Sequence, residues 1–187
     1  MLRRVVSMTA AVLFLALAAP FTLQAQNIFI MGGATIPTGD DSDEISTGWM
    51  AAGGVSFDIG EEGLFAGVEG TYGRNSADDS GFLTDQSLKP YSVMGFLGYS
   101  FPTEGNVDPY IFGGAGIFGA KWSGKMGGVD VDDSHSEFGY QFGVGVSFGS
   151  ETSSTRPFVE GRYQAAGGEI DGGFIGAFVG LSFGVGN

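Results

Sequence analysis

The sequence predicts an all-β fold, an eight-stranded antiparallel up-and-down transmembrane β-barrel, and three observations predict it. Eight segments alternate between large apolar residues and small or polar ones, with the period of two that a β-strand requires. Most of these segments run for about twelve residues, close to a tilted membrane-crossing strand and longer than an ordinary strand. Short and long connections follow one another along the chain, as in a closed meander.

The last segment shows the alternation most clearly. Every second residue from Ile175 to Val185 is apolar, and the residues between them are Gly or Ser apart from Phe178. One face of this strand therefore suits an apolar environment and the other a tight interior. The predicted strands are Asn27–Pro37, Gly48–Ile59, Gly63–Arg74, Pro90–Phe101, Pro109–Trp122, Glu137–Phe148, Pro157–Ala165 and Phe174–Val185.

The orientation of the two faces distinguishes a membrane barrel from a soluble one. A soluble eight-stranded barrel would place its apolar face inside, and we considered that alternative. Here the other face carries Gly, Ser, Glu, Gln and Arg, which suits a narrow interior, so we expect the apolar face to contact lipid. The first and fifth strands remain ambiguous. In the fifth strand, one set of side chains competes with the other for the outer face: Tyr110, Phe112 and Phe118 against Ile111, Ala115 and Ile117.

Aromatic residues near the strand ends predict the girdles that flank the lipid band of such barrels. They are Trp49, Tyr91, Tyr99, Phe101, Phe138, Tyr140 and Phe148. Among the connections, we expect the short Gly60–Glu62 to face the periplasm and the long Thr38–Thr47, Asn75–Lys89 and Ser123–Ser136 to face outside.

The start of the chain predicts a secretory signal peptide over residues 1–25, followed by one barrel domain over residues 26–187. Arg3 and Arg4 precede an apolar run that is short for a membrane helix, and Ala25 is a plausible cleavage residue. An uncleaved N-terminal anchor is the alternative. The chain has no Cys, so no disulfide stabilises it after export.

Charge excludes one class of partner. The formal net charge is −13, and removal of Arg3 and Arg4 lowers it to −15. Such a chain repels nucleic acid. Gly accounts for 35 of 187 residues and interleaves with aromatic residues inside the alternating segments, a pattern that argues against disorder.

The chain resembles a known family in three stretches and in its closing strand. The stretches read Asp108-Pro-Tyr-Ile-Phe-Gly-Gly-Ala-Gly, Phe138-Gly-Tyr-Gln-Phe-Gly-Val-Gly-Val and Val159-Glu-Gly-Arg-Tyr-Gln. They are similar to the small eight-stranded outer-membrane β-barrels of Gram-negative bacteria, the opacity-protein and OmpA-barrel-like superfamily. The chain departs from that pattern at its end, where Phe183 or Val185 replaces a terminal aromatic residue.

This resemblance implies an integral protein of the bacterial outer membrane. The partners that we expect are outer-membrane lipid, lipopolysaccharide and the outer-membrane assembly machinery, with no nucleic acid. We expect a monomer with no cofactor, no metal site and no catalytic residue.

Four polar residues are candidates for a cluster inside the barrel. Glu69, Glu160 and Arg162 fall on the predicted inner face, and Gln141 lies on the inner face of the sixth strand. Opposite walls of an eight-stranded barrel lie close together, and a buried charge needs a partner. The cluster is either a gate in a constricted pore or a structural plug of salt bridges, and the filled interior of such barrels favours the plug.

Carboxylates are concentrated in the predicted outer loops. Clusters of this kind bind Ca²⁺ or Mg²⁺ in some proteins, but no spaced Ca²⁺-binding loop is present, and surface charge is the simpler interpretation. The residues are Asp40, Asp41, Asp43, Glu44, Asp78, Asp79, Asp85, Asp130, Asp132, Asp133, Glu169 and Asp171.

Three functions follow as hypotheses. The first is a non-enzymatic surface or structural protein with acidic extracellular loops, and the second is a narrow channel for small or apolar solutes. The third is a lipid-modifying enzyme, because His135 has a hydroxyl on each side and carboxylates nearby. Sequence proximity does not make a catalytic triad, since neighbouring residues of a strand point in different directions.

Overall fold

The computed structural model describes residues 26–39, 45–59, 63–77, 83–150, 153–167 and 172–184. The predicted signal peptide, the Gly60–Glu62 turn, Val185 and several acidic loop residues lie outside the described residues. No helix in the described part of the chain is long and apolar enough to cross a membrane.

Eight antiparallel strands form one closed barrel, in which each strand pairs with its neighbours in sequence and β1 pairs with β8. The predicted fold class is therefore confirmed. The strands are β1 Gln26–Thr38, β2 Gly48–Asp58, β3 Leu64–Ser76, β4 Leu83–Ser100, β5 Val107–Met126, β6 Val129–Phe148, β7 Thr155–Ala166 and β8 Gly173–Gly184.

Apolar side chains point outward, as the alternation predicts. On β8, Val179 is 65% exposed while its neighbour Phe178 is buried. The same alternation holds on β4, where Val93 and Leu97 are exposed and Met94 is buried. A continuous apolar exterior of this kind suits lipid.

The structure resolves the two ambiguous strands. On β5 the aliphatic residues Ile111 and Ile117 face outward, while Phe112 and Phe118 are buried inside. On β1, the exposed residues are Ile28, Ile30 and Ile36. The odd-numbered residues of this strand face the lumen, and Met31 and Thr35 are buried there.

Two predicted connections are wrong. In Asn75–Lys89, the first two residues belong to β3 and residues 83–89 belong to β4, so most of the expected loop is strand. Residues Ser123–Ser136, expected as a long loop, form the outer part of the β5–β6 hairpin, which closes with a two-residue turn at Gly127 and Gly128. Both glycines have positive φ, 58° and 85°, the conformation that tight hairpins prefer. A strand outside the membrane does not need a continuous apolar face. The acidic residues of this segment interrupt such a face, and the sequence pattern therefore predicted a loop.

This hairpin and the start of β4 extend the barrel wall at one end. We call residues 83–89, 121–126 and 129–137 the ribbon. It is three strands wide, because β4 pairs with β5 as far as Leu83 and Met126, and β5 pairs with β6 up to the turn. Because β4 begins at Leu83 and β6 at Val129, Tyr91 and Phe138 lie near the middle of their strands and not at the strand ends predicted for girdle residues.

Inward aromatic rings lie against glycines on neighbouring strands, which explains much of the glycine content. A Cβ at Gly67 or Gly98 would overlap the ring of Phe96 or Phe65, respectively. Glycine therefore creates the space that lets a ring fit inside a narrow barrel. The cross-strand pairs of this kind in the lumen are Phe29–Gly54, Phe65–Gly98, Phe96–Gly67, Tyr110–Gly145, Phe112–Gly143 and Phe158–Gly180.

The assignment of faces predicts opposite outcomes for two substitutions on β8. Val179→Arg should lower the free energy of unfolding by about 2–4 kcal/mol, because it places a charge in the lipid band. Ser182→Ala, on the lumen face, should have a small effect. Urea unfolding in lipid vesicles measures both, and equal small losses would contradict the assignment.

Candidate functional site in the barrel lumen

Arg162 lies at the centre of the site, on the inward face of β7, with 3% of its side chain exposed. Its Nε donates a hydrogen bond to Glu160 Oε1 at 2.6 Å. The two other guanidinium nitrogens donate to Glu69 Oε1 at 2.6 Å and to Glu69 Oε2 at 3.2 Å. This second contact is bidentate, the geometry that gives arginine–carboxylate pairs their specificity.

Glu69 brings the opposite wall of the barrel into the site, because it lies on β3. Gln141 on β6 donates from Nε2 to Glu69 Oε1 at 2.7 Å, and its own carbonyl oxygen lies 3.4 Å from an Arg162 nitrogen. The structure thus brings together all four residues that the sequence places on the inner face. Sequence reasoning missed Tyr110, whose hydroxyl donates to Glu160 Oε2 at 2.9 Å.

Two aromatic rings enclose the guanidinium. The Arg162 Cζ lies 5.2 Å from the ring centroids of both Phe112 and Phe178, within the range of a cation–π contact. Gly143 and Gly176 pair with Arg162 from the two neighbouring strands. A Cβ at Gly143 would overlap the Phe112 ring, and one at Gly176 would overlap the Phe178 ring. These glycines therefore make room for the rings around Arg162.

A pair of glycine substitutions tests this packing. Gly176→Ala should lower the free energy of unfolding by about 1–3 kcal/mol, because its methyl group displaces the Phe178 ring from Arg162. Gly161→Ala is the control, since nothing lies within 4 Å of a Cβ there and the site faces outward. Its effect should stay within about 0.5 kcal/mol. Urea unfolding in vesicles that shows equal losses would contradict the role of Gly176.

The charges of the cluster are balanced by hydrogen bonds as well as by ion pairs. Two carboxylates and one guanidinium carry one formal negative charge in excess, and Tyr110 and Gln141 donate to those carboxylates. All three charged side chains are buried. Removing one partner of such a buried set costs much more than an exposed salt bridge does.

Below the cluster, toward the end of the barrel where β1 begins and β8 ends, the lumen widens into a cavity of about 200 Å³. Phe29, Phe65 and Phe96 form part of its wall. Arg156 lies at its mouth and pairs with Asp108. Polar residues, among them Asn27, Ser56 and Ser182, form the rest of the wall, so the cavity that reaches the cluster is lined by both aromatic and polar side chains.

Above the cluster, toward the ribbon, small polar groups and apolar side chains fill the lumen. Gln164 Nε2 donates to Ser92 Oγ at 2.7 Å, and the Ser92 and Thr71 hydroxyls lie 2.7 Å apart. Met94, Phe118 and Phe174 pack together as a buried group. The alternation of β4 places Ser92 and Met94 on this face.

The structure does not bring His135 together with the two hydroxyls that flank it in sequence. It lies on β6, with 65% of its side chain exposed, and its Nε2 is 3.9 Å from Glu137 Oε1. Ser134 and Ser136, the flanking hydroxyls, fall on the opposite face of the strand. Among the described residues, no group of three or more His, Cys, Asp or Glu side chains could hold a metal ion.

Ion pairs link the strands of the ribbon, beyond the membrane-crossing part of the barrel. Lys121 Nζ lies 2.8 Å from Asp132 Oδ2, and Lys125 Nζ lies 3.0 Å from Asp85 Oδ2. The hydrogen bond from Lys121 lowers the pKa of Asp132 below its usual value, and the hydrogen bond to Asp85 raises the pKa of Lys125. Both pairs are exposed, so they contribute little to stability.

A family model described as the outer membrane protein beta-barrel domain matches residues 8–183. The chain belongs to this family. The resemblance found in the sequence is thereby confirmed, and the family implies an integral protein of the outer membrane, in contact with its lipid and lipopolysaccharide. No curated protein matches the chain.

Solved structures show the same fold. The chain is similar to Neisserial surface protein A, with 20% identity and a TM-score of 0.61, over 85% of this chain and 96% of that one. It is also similar to Ail, the attachment invasion locus protein of Yersinia pestis, with 18% identity and a TM-score of 0.51, over 87% and 99% of the two chains. A second Ail structure, in complex with the heparin analogue sucrose octasulfate, has 18% identity, the same coverage and a TM-score of 0.52.

Proposed function

We propose that this protein is a non-enzymatic surface protein, a closed outer-membrane barrel that holds an acidic ribbon on the outside of the cell. In this proposal residues 1–25 are removed on export and the assembly machinery inserts the barrel as a monomer. The observation that carries the proposal is the Arg162 cluster, which joins β3 to β7 across the lumen at mid-height.

The cluster supports a scaffold more than a channel. Arg162, Glu69 and Glu160 are buried and hydrogen-bonded to one another, so a solute would have to separate them before it passed. Separation leaves buried charges without partners, which is unfavourable. Among the described residues, a closed barrel leaves the projecting ribbon as a part available for contact with other molecules.

The charge of the ribbon narrows the class of partner. Ail was crystallised with a sulfated heparin analogue, a polyanion. The ribbon carries five carboxylates and three Lys, and within it residues 129–137 carry four of the carboxylates and no Lys or Arg. Charge repulsion therefore disfavours a polyanion on this surface and favours a basic partner.

The narrow channel remains the second candidate because of the cavity of about 200 Å³ that reaches the cluster from one end. In this alternative, Arg162 and Glu69 are the gate, and opening requires them to exchange partners. The two candidates differ in the conductance of the intact protein.

Substitution of Arg162 separates the two candidates. Arg162→Ala should lower the free energy of unfolding by about 3–5 kcal/mol, because it leaves two buried carboxylates without their counter-ion. It should also raise conductance in planar bilayers above a wild type that conducts little. Glu160→Gln should be milder in both respects, because its amide oxygen still accepts from the guanidinium. A wild type that conducts steadily would favour the channel, and an Arg162→Ala variant as stable and as closed as wild type would contradict the plug.

Labelling on intact cells tests the orientation. Single substitutions Asp130→Cys in the ribbon and Glu104→Cys in the β4–β5 turn place a thiol at opposite ends of the barrel, and the chain has no other Cys. An impermeant maleimide should label position 130 and should reach position 104 only after the outer membrane is permeabilised. The reverse pattern would overturn the orientation.

A further inference from the structure

In the described part of the chain, the β6 strand of the ribbon has a long edge without a neighbouring strand. Pairing between β6 and β7 begins at Gly139 and Ala166, whereas β6 itself begins at Val129. Residues 129–137 therefore pair only with β5 in the described part of the chain. Nine residues of extended strand span about 30 Å. The connection from Gly167 to Gly172 has only four residues between its ends, and Ala166 N–H donates to the Gly172 carbonyl at 3.4 Å.

The turn fixes which backbone groups face this edge. In a two-residue hairpin, Met126 and Val129 exchange both hydrogen bonds, so the odd-numbered residues of β6 bond to β5. The even-numbered residues direct their amides and carbonyls to the other side. Phe138 agrees with this pattern, because its carbonyl accepts from Gly167 N–H at 2.8 Å on the β7 side. The groups on the edge belong to Asp130, Asp132, Ser134 and Ser136.

The opposite edge of the ribbon differs. There Ala77 N–H donates to the Gln86 carbonyl at 3.0 Å, and β3 pairs with β4 as far as Ser87. Farther out the pairing is irregular between Thr84 and Ser87, and Asp85 has a positive φ of 56°. An irregularity of this kind prevents another strand from pairing. Of the two edges that the structure describes, only the β6 edge is long and regular.

Side chains along the β6 edge select the partner. Asp130 and Asp132 lie on one face of the strand, where Lys121 on β5 already pairs with Asp132, and Asp133 lies on the other face. A strand added here would therefore meet carboxylates on both faces. A second copy of this edge would oppose acid to acid, which destabilises cross-strand pairs. A strand that carries Lys or Arg would instead form pairs of opposite charge.

Among the hydrogen bonds between described residues, one already occupies a backbone group on this edge. The Ser134 N–H donates to Asp133 Oδ1 at 2.9 Å. An added strand would thus find the amides of Asp130, Asp132 and Ser136, together with the carbonyls of all four even-numbered residues.

We infer that the β6 edge of the ribbon binds an extended, Lys- or Arg-containing peptide segment of another protein as an additional antiparallel strand. Backbone hydrogen bonds along residues 130–136 supply the affinity, and the Asp carboxylates of this stretch supply the selectivity. This inference rests on the proposed surface function, because the ribbon must face outside to meet such a partner.

The test uses the full mature chain refolded into phosphatidylcholine vesicles and a fluorescein-labelled eight-residue peptide that alternates Lys with Thr. Anisotropy should show saturable binding. Two further peptides carry N-methyl groups on alternate amides, one on each of the two alternate sets. One of them should bind at least tenfold more weakly and the other within twofold of the unmodified peptide, because only one set faces the edge. Equal binding of all three peptides would mean attraction by charge alone and would overturn the inference.

Protein variants locate the site. Ser136→Pro removes an edge amide and should weaken binding at least tenfold, while Ser136→Ala keeps that amide and should bind as wild type does. The double variant Asp130→Asn and Asp132→Asn keeps the backbone and should also weaken binding at least tenfold. Glu104→Gln, a loss of charge at the other end of the barrel, should have no effect. Binding unchanged in Ser136→Pro or in the double variant overturns the inference.

A second copy is the competing occupant. Under mild oxidation, Ser136→Cys should not form a disulfide-linked dimer. Efficient cross-linking between copies would instead assign the edge to self-association. These measurements use purified protein in vesicles, so they are independent of conductance and of labelling on cells. If the peptide binds but labelling places the ribbon on the periplasmic side, the proposed surface function is contradicted, while binding at the β6 edge still stands.

Discussion

The narrow interior of an eight-stranded barrel is the constraint on which the rest of this structure depends. Side chains from opposite walls meet there, and few of them can be large or charged without a partner. Arg162 meets this constraint by contacting Glu160 on its own strand and Glu69 across the lumen. One guanidinium thus ties two walls together and fills the cross-section at the same time.

The glycine pattern follows from the same constraint. An inward ring needs space on the neighbouring strand, and Gly143 and Gly176 provide it on both sides of Arg162. The exterior has no such limit, so its residues are large and apolar. Small residues on the inner face and large apolar residues on the outer face identify a membrane barrel in the sequence. The same difference in size reflects how tightly the interior is filled.

The sequence predicted the strands that cross the membrane, because lipid on one side and a tight lumen on the other impose strict alternation. It predicted the position of Arg162 and its neighbours on the inner face for the same reason. It left β5 ambiguous, since Tyr110 and Phe112 are as apolar as Ile111. Gly145 and Gly143, which lie opposite Tyr110 and Phe112, indicate that these rings face inward. That indication is available only once the β5–β6 register is known.

The ribbon was missed for the opposite reason. Beyond the membrane, no contact with lipid favours apolar residues on one face. Residues 129–137 therefore mix Val with Asp and Ser in a pattern typical of a loop. Backbone hydrogen bonding with β5 and the Gly127–Gly128 turn, not side-chain burial, make it a strand.

Closure of the barrel has a consequence for how it forms. β1 pairs with β8 from Asn27 opposite Gly184 to Thr38 opposite Gly173, so the contact that completes the wall joins the two ends of the domain. Every other strand pair is local in sequence. Contacts between distant residues carry the largest loop-closure entropy and form late, so the β1–β8 seam is the step that commits the chain to its final state. Until that step, both seam strands present unpaired edges, and the chain depends on its surroundings to keep them from other partners.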